Sequence, residues 1–200
     1  MRLLIIRHGE SEADLLDVHE GRADFPLTER GHRQAAAMAE YVKQHYQITA
    51  IYCSPLRRAY QTAEHLSMET GVPLRTEDRL MEFNNGLIAG LSRTEADEKY
   101  PYVENLPMHA SVYEQESALE FRFRADYILS EILSESAADA AAAIVTHGGM
   151  VNQLYRSFLR LPVDCDLIFN TGDTGIHEWN ISDGQRCIIR ANLTAHCMGI

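Results

Sequence analysis

Lysine is almost missing from this chain: of the 18 basic residues only Lys43 and Lys99 are lysines, and the rest are arginine. The formal net charge is −11, which excludes a general nucleic-acid binder and a polybasic membrane binder. No stretch approaches the roughly 20 apolar residues needed to span a bilayer. The N-terminal apolar run is only Leu3 to Ile6 and ends in a charge, so no signal peptide is expected. The four cysteines (Cys53, Cys165, Cys187 and Cys197) make no C-x-x-C pair and no zinc-like spacing. Cys53 follows Ile51-Tyr52 in an apolar segment and reads as a buried thiol, so a reducing cytoplasm is the expected setting. Internal repeats and long linkers are also lacking. A chain of 200 residues is therefore read as a single domain over 1–200 with a substantial core.

The informative stretch is Leu3-Leu4-Ile5-Ile6-Arg7-His8-Gly9-Glu10-Ser11. An unbroken apolar run is the pattern of a strand buried on both faces. It ends in an arginine, an imidazole and a glycine, where open α/β sheets bind their ligands. Gly9 would let the backbone turn and come close to a ligand. Ala142-Ala143-Ile144-Val145-Thr146-His147-Gly148-Gly149 repeats this design, so two imidazoles at strand ends could lie side by side. Between them, Ser54-Pro55-Leu56-Arg57-Arg58 opens a helix with two arginines, whose planar forks suit phosphate oxygens. An acidic protein that binds an anion needs such a local cationic pocket.

The remaining pattern is strand, helix, strand, helix. A loop with some helical character covers Glu10 to Phe25, and a helix is capped by Thr28. A strand runs over Ala50–Cys53, and the next helix is capped by Ser54, with Pro55 first, and stopped by Gly71. A weaker strand follows over Val72–Thr76. Residues from Asn84 to Gln115 are irregular, apart from a short helix with a Ser92/Glu95 capping box, and read as a lid or substrate-side wall. Ser117 and Glu120 cap a longer helix with Phe121, Ala125, Ile128 and Ile132 on its buried face. Ala137 to Ala141 reads as a helix end and loop. Strand 142–146, a helix from Gly148 to about Leu159, and a hairpin turning at Asp183-Gly184 complete the chain. The expected fold class is α/β, with a doubly wound, mostly parallel sheet flanked by helices and a lid insertion at about 84–115.

These motifs resemble the histidine phosphatase (phosphoglycerate mutase-like) superfamily, small phosphatase branch. The matching residues run from Arg7 through Gly21, Asp24, Pro26-Leu27-Thr28, Gly31 and Gln34-Ala35. They continue through Ser54 to Ala63, Glu82 and His147-Gly148-Gly149, in order and over nearly the whole chain. The resemblance implies a metal-independent phosphomonoesterase acting on a small phosphorylated metabolite, with no cofactor. It implies His8 as a nucleophile that becomes phosphohistidine, and Glu82 as proton donor. Arg7, Arg58 and His147 would hold the phosphoryl oxygens, and Ser11, Asp14, Glu20, Gly21 and Gly148 would complete the substrate pocket. Arg58 rather than Arg57 aligns with the family arginine, leaving Arg57 to solvent.

The bland readings concern the other histidines. His32, His45 and His65 are expected to be solvated, His109 to lie in the lid, and His196 to be structural. A two-histidine, one-carboxylate metal site from His8, His147 and Glu82 is the chemical rival, and the adjacent Arg7 opposes it by repelling a cation. The expected partner is a small phosphorylated substrate, with no nucleic acid and no membrane; a homodimer is left open.

Three positions depart from the family. Asp14 stands where asparagine is common, Glu20 where phosphatases often carry glutamine, and Ile88-Ala89-Gly90 replaces Trp-Glu-Gly. Two acids thus replace amides near the expected phosphate pocket. Only the 64 residues from Phe83 to Thr146 separate Glu82 from His147. That short spacing favours a phosphatase over a cofactor-dependent phosphoglycerate mutase, which usually carries a longer insertion there. The complete catalytic set disfavours a binding or regulatory module that has lost turnover.

Overall fold

A computed structural model describes residues 1–137 and 139–200. Its centre is β1 (Arg2–Arg7), whose side chains alternate between two apolar cores. Leu3 and Ile5 face one core with Ile144, Phe121 and Leu154; Leu4 and Ile6 face the other with Met38, Val42 and Leu66. All four are fully buried, which is why every position of the run is apolar. Burial of one such side chain is worth about 1.5–3 kcal/mol.

The other strands are β2 (Ala50–Cys53), β3 (Leu74–Thr76), β4 (Ala141–Thr146), β5 (Ile176–Ser182) and β6 (Gln185–Leu193). They form one six-stranded sheet in the order β3-β2-β4-β1-β5-β6. The first three neighbour pairs are parallel and the last two antiparallel. Helices α2 (Glu29–His45) and α3 (Arg57–Thr70) cover one face, and α5 (Ala118–Glu135) and α6 (Gly148–Phe158) the other. The doubly wound, mostly parallel sheet is the expected one.

Several boundaries differ from expectation. The helical character expected in the loop after β1 takes the form of a short helix, α1 (Glu12–Leu16). The third strand is shorter, and β4 starts one residue earlier, at Ala141. Ser54 does not cap α3; the helix starts at Arg57, with Leu56 at the cap, and Pro55 lies outside it. The Ser54 hydroxyl is taken instead by His147, at 2.8 Å from its Nε2. The Thr28, Ser92 and Ser117 caps form as expected, the last two as capping boxes. Within the expected link at 137–141, residue 138 lies outside the described residues.

The stretch 84–115 holds one 3₁₀ turn (Gly86–Ile88) and α4 (Arg93–Lys99). It is tied to the loop after α1 by hydrogen bonds from the His19 amide to Leu91 O (2.9 Å) and from the Gly90 amide to His19 O (2.7 Å). Among the described residues no helix is long and apolar enough to cross a membrane. Cys53 is buried, and burial pushes its thiol up to about 12.

Candidate active site

Parallel pairing of β1 with β4 sets the geometry. The register places Arg7 opposite Thr146, so the next residues, His8 and His147, emerge together at the carboxyl ends of adjacent strands. Their ring centroids are 5.1 Å apart, and both rings are buried. The doubled strand-His-Gly design therefore has a simple geometric consequence.

The His8 Nδ1 lies 2.7 Å from the Gly9 carbonyl. A carbonyl can only accept, so Nδ1 carries the proton and Nε2 presents a lone pair. Arg58 Nε donates toward that lone pair at 3.3 Å. Burial, then Arg58 and Arg7, hold the His8 pKa well below the usual histidine value, so the ring is neutral at pH 7. Burial likewise keeps His147 neutral, reinforced by Arg58 and His8. Gly9 serves a different contact from the one expected. A Cβ there would lie 2.6 Å from the Gly31 carbonyl, so the close approach is to the start of α2.

Arg58 is fully buried on the first turn of α3. Its other two nitrogens donate to Ala23 O (3.0 Å) and Gly21 O (2.8 Å), which is how Gly21 enters the site. Arg57 is exposed and donates its amide to Asp24, so the two arginines divide as expected. Arg7 donates from Nη1 to Thr171 O at 3.0 Å and lies 3.5 Å from Asp173 and 4.0 Å from Asp14. Arg7 Nε and His147 Nδ1 are both buried without a hydrogen-bond partner among the described residues. A Cβ built on Gly148 would sit 4.0 Å from Arg7 Nε, placing Gly148 at this same spot.

Asp14 closes a capping box on α1, accepting the Ser11 amide (2.8 Å), with the Ser11 hydroxyl oxygen 3.1 Å away. The single Ser11 hydroxyl proton goes to Glu20, at 2.5 Å. Glu20 pairs with Arg58 Nε at 3.1 Å and approaches His8 Nε2 at 3.7 Å. Burial raises the Glu20 pKa against the opposing pull of Arg58 and Ser11.

Glu82 takes one backbone N–H on each carboxylate oxygen, from Phe83 and from Gly149, both at 2.8 Å. A Cβ on Gly149 would stand 2.3 Å from Glu82 Oε1, so only glycine lets this carboxylate reach the start of α6.

Four contributors were not read from the sequence as parts of the site. Ser54 orients His147. Asp173, in the loop before β5, faces Arg7, and burial raises its pKa. Arg124 and Glu116 form a close pair (2.6 and 2.9 Å) that fixes the Glu82 loop. Arg124 donates to the carbonyls of Arg79 (2.7 Å), Met81 (3.0 Å) and Glu82 (3.3 Å), while Glu116 accepts the Asn84 amide (2.7 Å). The short runs of small residues at Thr171-Gly172 and Thr174-Gly175 around Asp173 were the only available signal for that position. Arg22 turns to Glu116 (3.7 Å) and Glu82 O (3.4 Å).

Two expectations for the remaining histidines need correction. His32 and His65 are half-buried and hydrogen-bonded to each other at 3.1 Å, because packing of α2 on α3 brings them together. Burial lowers the His65 pKa. His45 is exposed and stacks on Tyr41, and His109 is exposed. His196 holds the Thr174 hydroxyl at 2.9 Å, a structural contact. Among the described residues no group of three or more His, Cys, Asp and Glu side chains is arranged to hold a metal ion.

Known proteins bear on this geometry. The sequence model of the histidine phosphatase superfamily (branch 1) matches residues 3–194. Phosphoserine phosphatase 1 of Hydrogenobacter thermophilus is 26% identical over 201 residues, covering 98% of this chain and 94% of that protein. Glucosyl-3-phosphoglycerate phosphatase of Mycobacterium tuberculosis is 30% identical over 172 residues, covering 81% and 77%. Among solved structures, the alpha-ribazole phosphatase of Shigella flexneri superposes with a TM-score of 0.88 at 25% identity, covering 98% of each chain. A mycobacterial glucosyl-3-phosphoglycerate phosphatase in complex with VO3 gives a TM-score of 0.83 at 27% identity, covering 96% of this chain and 98% of that one. With a family match over nearly its whole length and phosphatases among its relatives, this chain belongs to the histidine phosphatase superfamily and is a phosphatase.

Proposed function

We propose that the chain is a metal-independent phosphomonoesterase acting on a small phosphorylated metabolite through a phosphohistidine on His8. The observation that carries this reading is a pair of neutral imidazoles with centroids 5.1 Å apart, one of them 3.3 Å from the Arg58 guanidinium. A neutral imidazole offers a lone pair beside Arg58, while two buried polar atoms, Arg7 Nε and His147 Nδ1, lack hydrogen-bond partners among the described residues. Buried polar groups are rarely left unpaired, and phosphoryl oxygens would satisfy these.

His8 Nε2 attacks phosphorus while the ester P–O bond breaks. Arg7, Arg58, His147 and Ser11 bear the charge on the equatorial oxygens, and Glu82 protonates the leaving oxygen. Glu82 then takes a proton from water, which attacks the phosphohistidine, releases phosphate and restores His8. A cleft of about 620 Å³ under the 84–115 stretch is lined by Phe83, Tyr100, Val103, Met108 and Phe121. Phe83, next to Glu82 in the chain, lines this cleft, and the leaving group would extend toward it.

Rapid acid quench during turnover of an aryl phosphate should trap an acid-labile phosphoprotein, with or without chelator. Activity lost to chelator and restored by a divalent ion would sink the mechanism.

Asp14→Asn tests the first departure from the family. At an effective dielectric near 20, two unit charges about 4 Å apart interact by roughly 4 kcal/mol. Asp14 is 39% exposed, so screening leaves about 1 kcal/mol of repulsion toward a phosphate dianion. The Michaelis constant for simple dianionic esters near neutral pH should fall by roughly three- to tenfold. A substrate bearing its own cation should gain less. An unchanged constant for every ester would confine Asp14 to capping α1.

A further inference from the structure

The Glu20 carboxylate occupies the place that the phosphatase reading reserves for substrate. Its Oε1 takes the Ser11 hydroxyl and lies 3.1 Å from Arg58 Nε, and its Oε2 lies 3.7 Å from His8 Nε2. Ser11, Arg58 and His8 are three of the groups assigned to the phosphoryl group, and they cannot serve both at once. The carboxylate is mostly buried, and it reaches the pocket from the loop between α1 and α2.

Charge sharpens the conflict. The groups facing Glu20 are Arg58 from α3, Arg7, His8 and Ser11 from the end of β1 and its loop, and Asp14 from α1. Beyond Arg7 stands Asp173, at 3.5 Å. His8 and His147 are neutral, while Arg58 faces Glu20, Glu82, Asp24 and Asp14, and Arg7 faces Asp14 and Asp173. A phosphate dianion entering this set would add two charges to a pocket with no cation to spare.

We propose that Glu20 is a specificity-determining residue: a resident stand-in for the phosphoryl group that substrate displaces with uptake of one proton. The inference rests on the phosphoryl-pocket reading. While the pocket is empty, Glu20 keeps the buried Arg58 paired, since an unpaired buried charge is costly. When an anion takes Ser11 and Arg58, Glu20 loses the partners that stabilise its charge, and burial then favours its neutral form. The elevated Glu20 pKa is in keeping with a carboxylate poised to accept that proton. The complex thus holds one more proton than the free enzyme, so anion affinity rises as pH falls. It levels off once free Glu20 is itself protonated. A pocket of this kind rejects weak anions near neutrality and retains only ligands with enough further contacts to displace the carboxylate.

Sulfate is the probe, because it remains a tetrahedral dianion from about pH 5 to pH 8 while phosphate itself titrates. Sulfate binding should be followed by calorimetry at constant ionic strength across that range. In the wild type, affinity should rise toward about tenfold per pH unit lost, the slope of one linked proton. Near neutrality, titrations in two buffers of different ionisation enthalpy should report uptake of about one proton per sulfate. Glu20→Gln should bind sulfate with little pH dependence, and at the alkaline end at least about tenfold more tightly than wild type. Asp173→Asn should keep the wild-type slope. The two-buffer measurement needs no variant and can refute the proposal alone if Glu20→Gln folds poorly; repeated in His8→Ala it should still report about one proton, which the His8 ring then cannot supply. Sulfate binding without proton uptake, or a slope that survives in Glu20→Gln, overturns the proposal and leaves the phosphatase reading standing; its loss in Asp173→Asn would move the proton to Asp173. Proton-linked sulfate binding without ester hydrolysis would count against turnover alone and support the role of Glu20.

Discussion

His8→Ala should lose ester hydrolysis by roughly four orders of magnitude or more, the scale of nucleophile removal, and no phosphate should stay on the protein after acid quench. The expectation follows from the geometry of one ring. Gly9 O fixes the proton on Nδ1, so the free lone pair is on Nε2, and burial with two nearby guanidiniums keeps it unprotonated. The same shift has a sign that can be read from rate. His8 becomes charged only well below its ordinary value of 6.5, so kcat/KM, which reports the free enzyme, should show no acid limb from this ring near that pH. Loss of activity should not come from collapse of the site. Without His8, Arg58 keeps Glu20, Ala23 O and Gly21 O. Sulfate binding should therefore survive in the variant while turnover does not. An acid-labile phosphoenzyme persisting in His8→Ala would show that another residue is the nucleophile.

The parts of this site that follow one strand directly were legible before the fold was known. β1 and β4 are buried on both faces, so their sequences are almost wholly apolar, and the change to Arg-His-Gly or His-Gly-Gly marks where each leaves the core. The arginine pair at the start of α3 divides between core and solvent by one helical step; the family resemblance pointed to Arg58, and the fold places it in the core. Residues placed by tertiary packing were not legible. Ser54 carries a good capping signal, yet its hydroxyl is worth more to buried His147 than to a helix whose first turn begins at Arg57. His32 and His65 each sit at an ordinary polar position of a helix, and only the packing of α2 on α3 puts their rings 3.1 Å apart. Arg124, Glu116 and Asp173 look like surface charges in sequence, because nothing local records which carbonyl or arginine they will meet. Glu20 was visible as a departure from the family. Its seat between Ser11, His8 and Arg58 depends on the path of a loop with no periodic pattern.

That same distinction between local and tertiary placement bears on Glu82, which is held by contacts from three separate segments. Its carboxylate takes the Phe83 and Gly149 amides, and its loop is pinned by Arg124, itself paired with Glu116. If the carboxyl group protonates the leaving oxygen, the cost of removing it must depend on how much that oxygen needs a proton. Glu82→Gln should therefore slow alkyl esters by roughly 10²–10⁴-fold, the usual range for general acid catalysis. Nitrophenyl phosphate, whose leaving group departs unprotonated, should lose far less in the phosphorylation step. Measured by burst kinetics, that step separates from hydrolysis of the phosphoenzyme, where Glu82 would act as base on both substrates alike. Gly149→Ala offers a second route to the same test with the carboxyl group retained. Its Cβ would stand 2.3 Å from Glu82 Oε1, so the carboxylate must swing away, and the loss should again be greater for alkyl than for nitrophenyl esters. Glu82→Gln slowing phosphorylation equally on both kinds of ester would remove Glu82 from the acid role. Gly149→Ala leaving both rates intact would show that the acid acts from another position than the one the two amides hold.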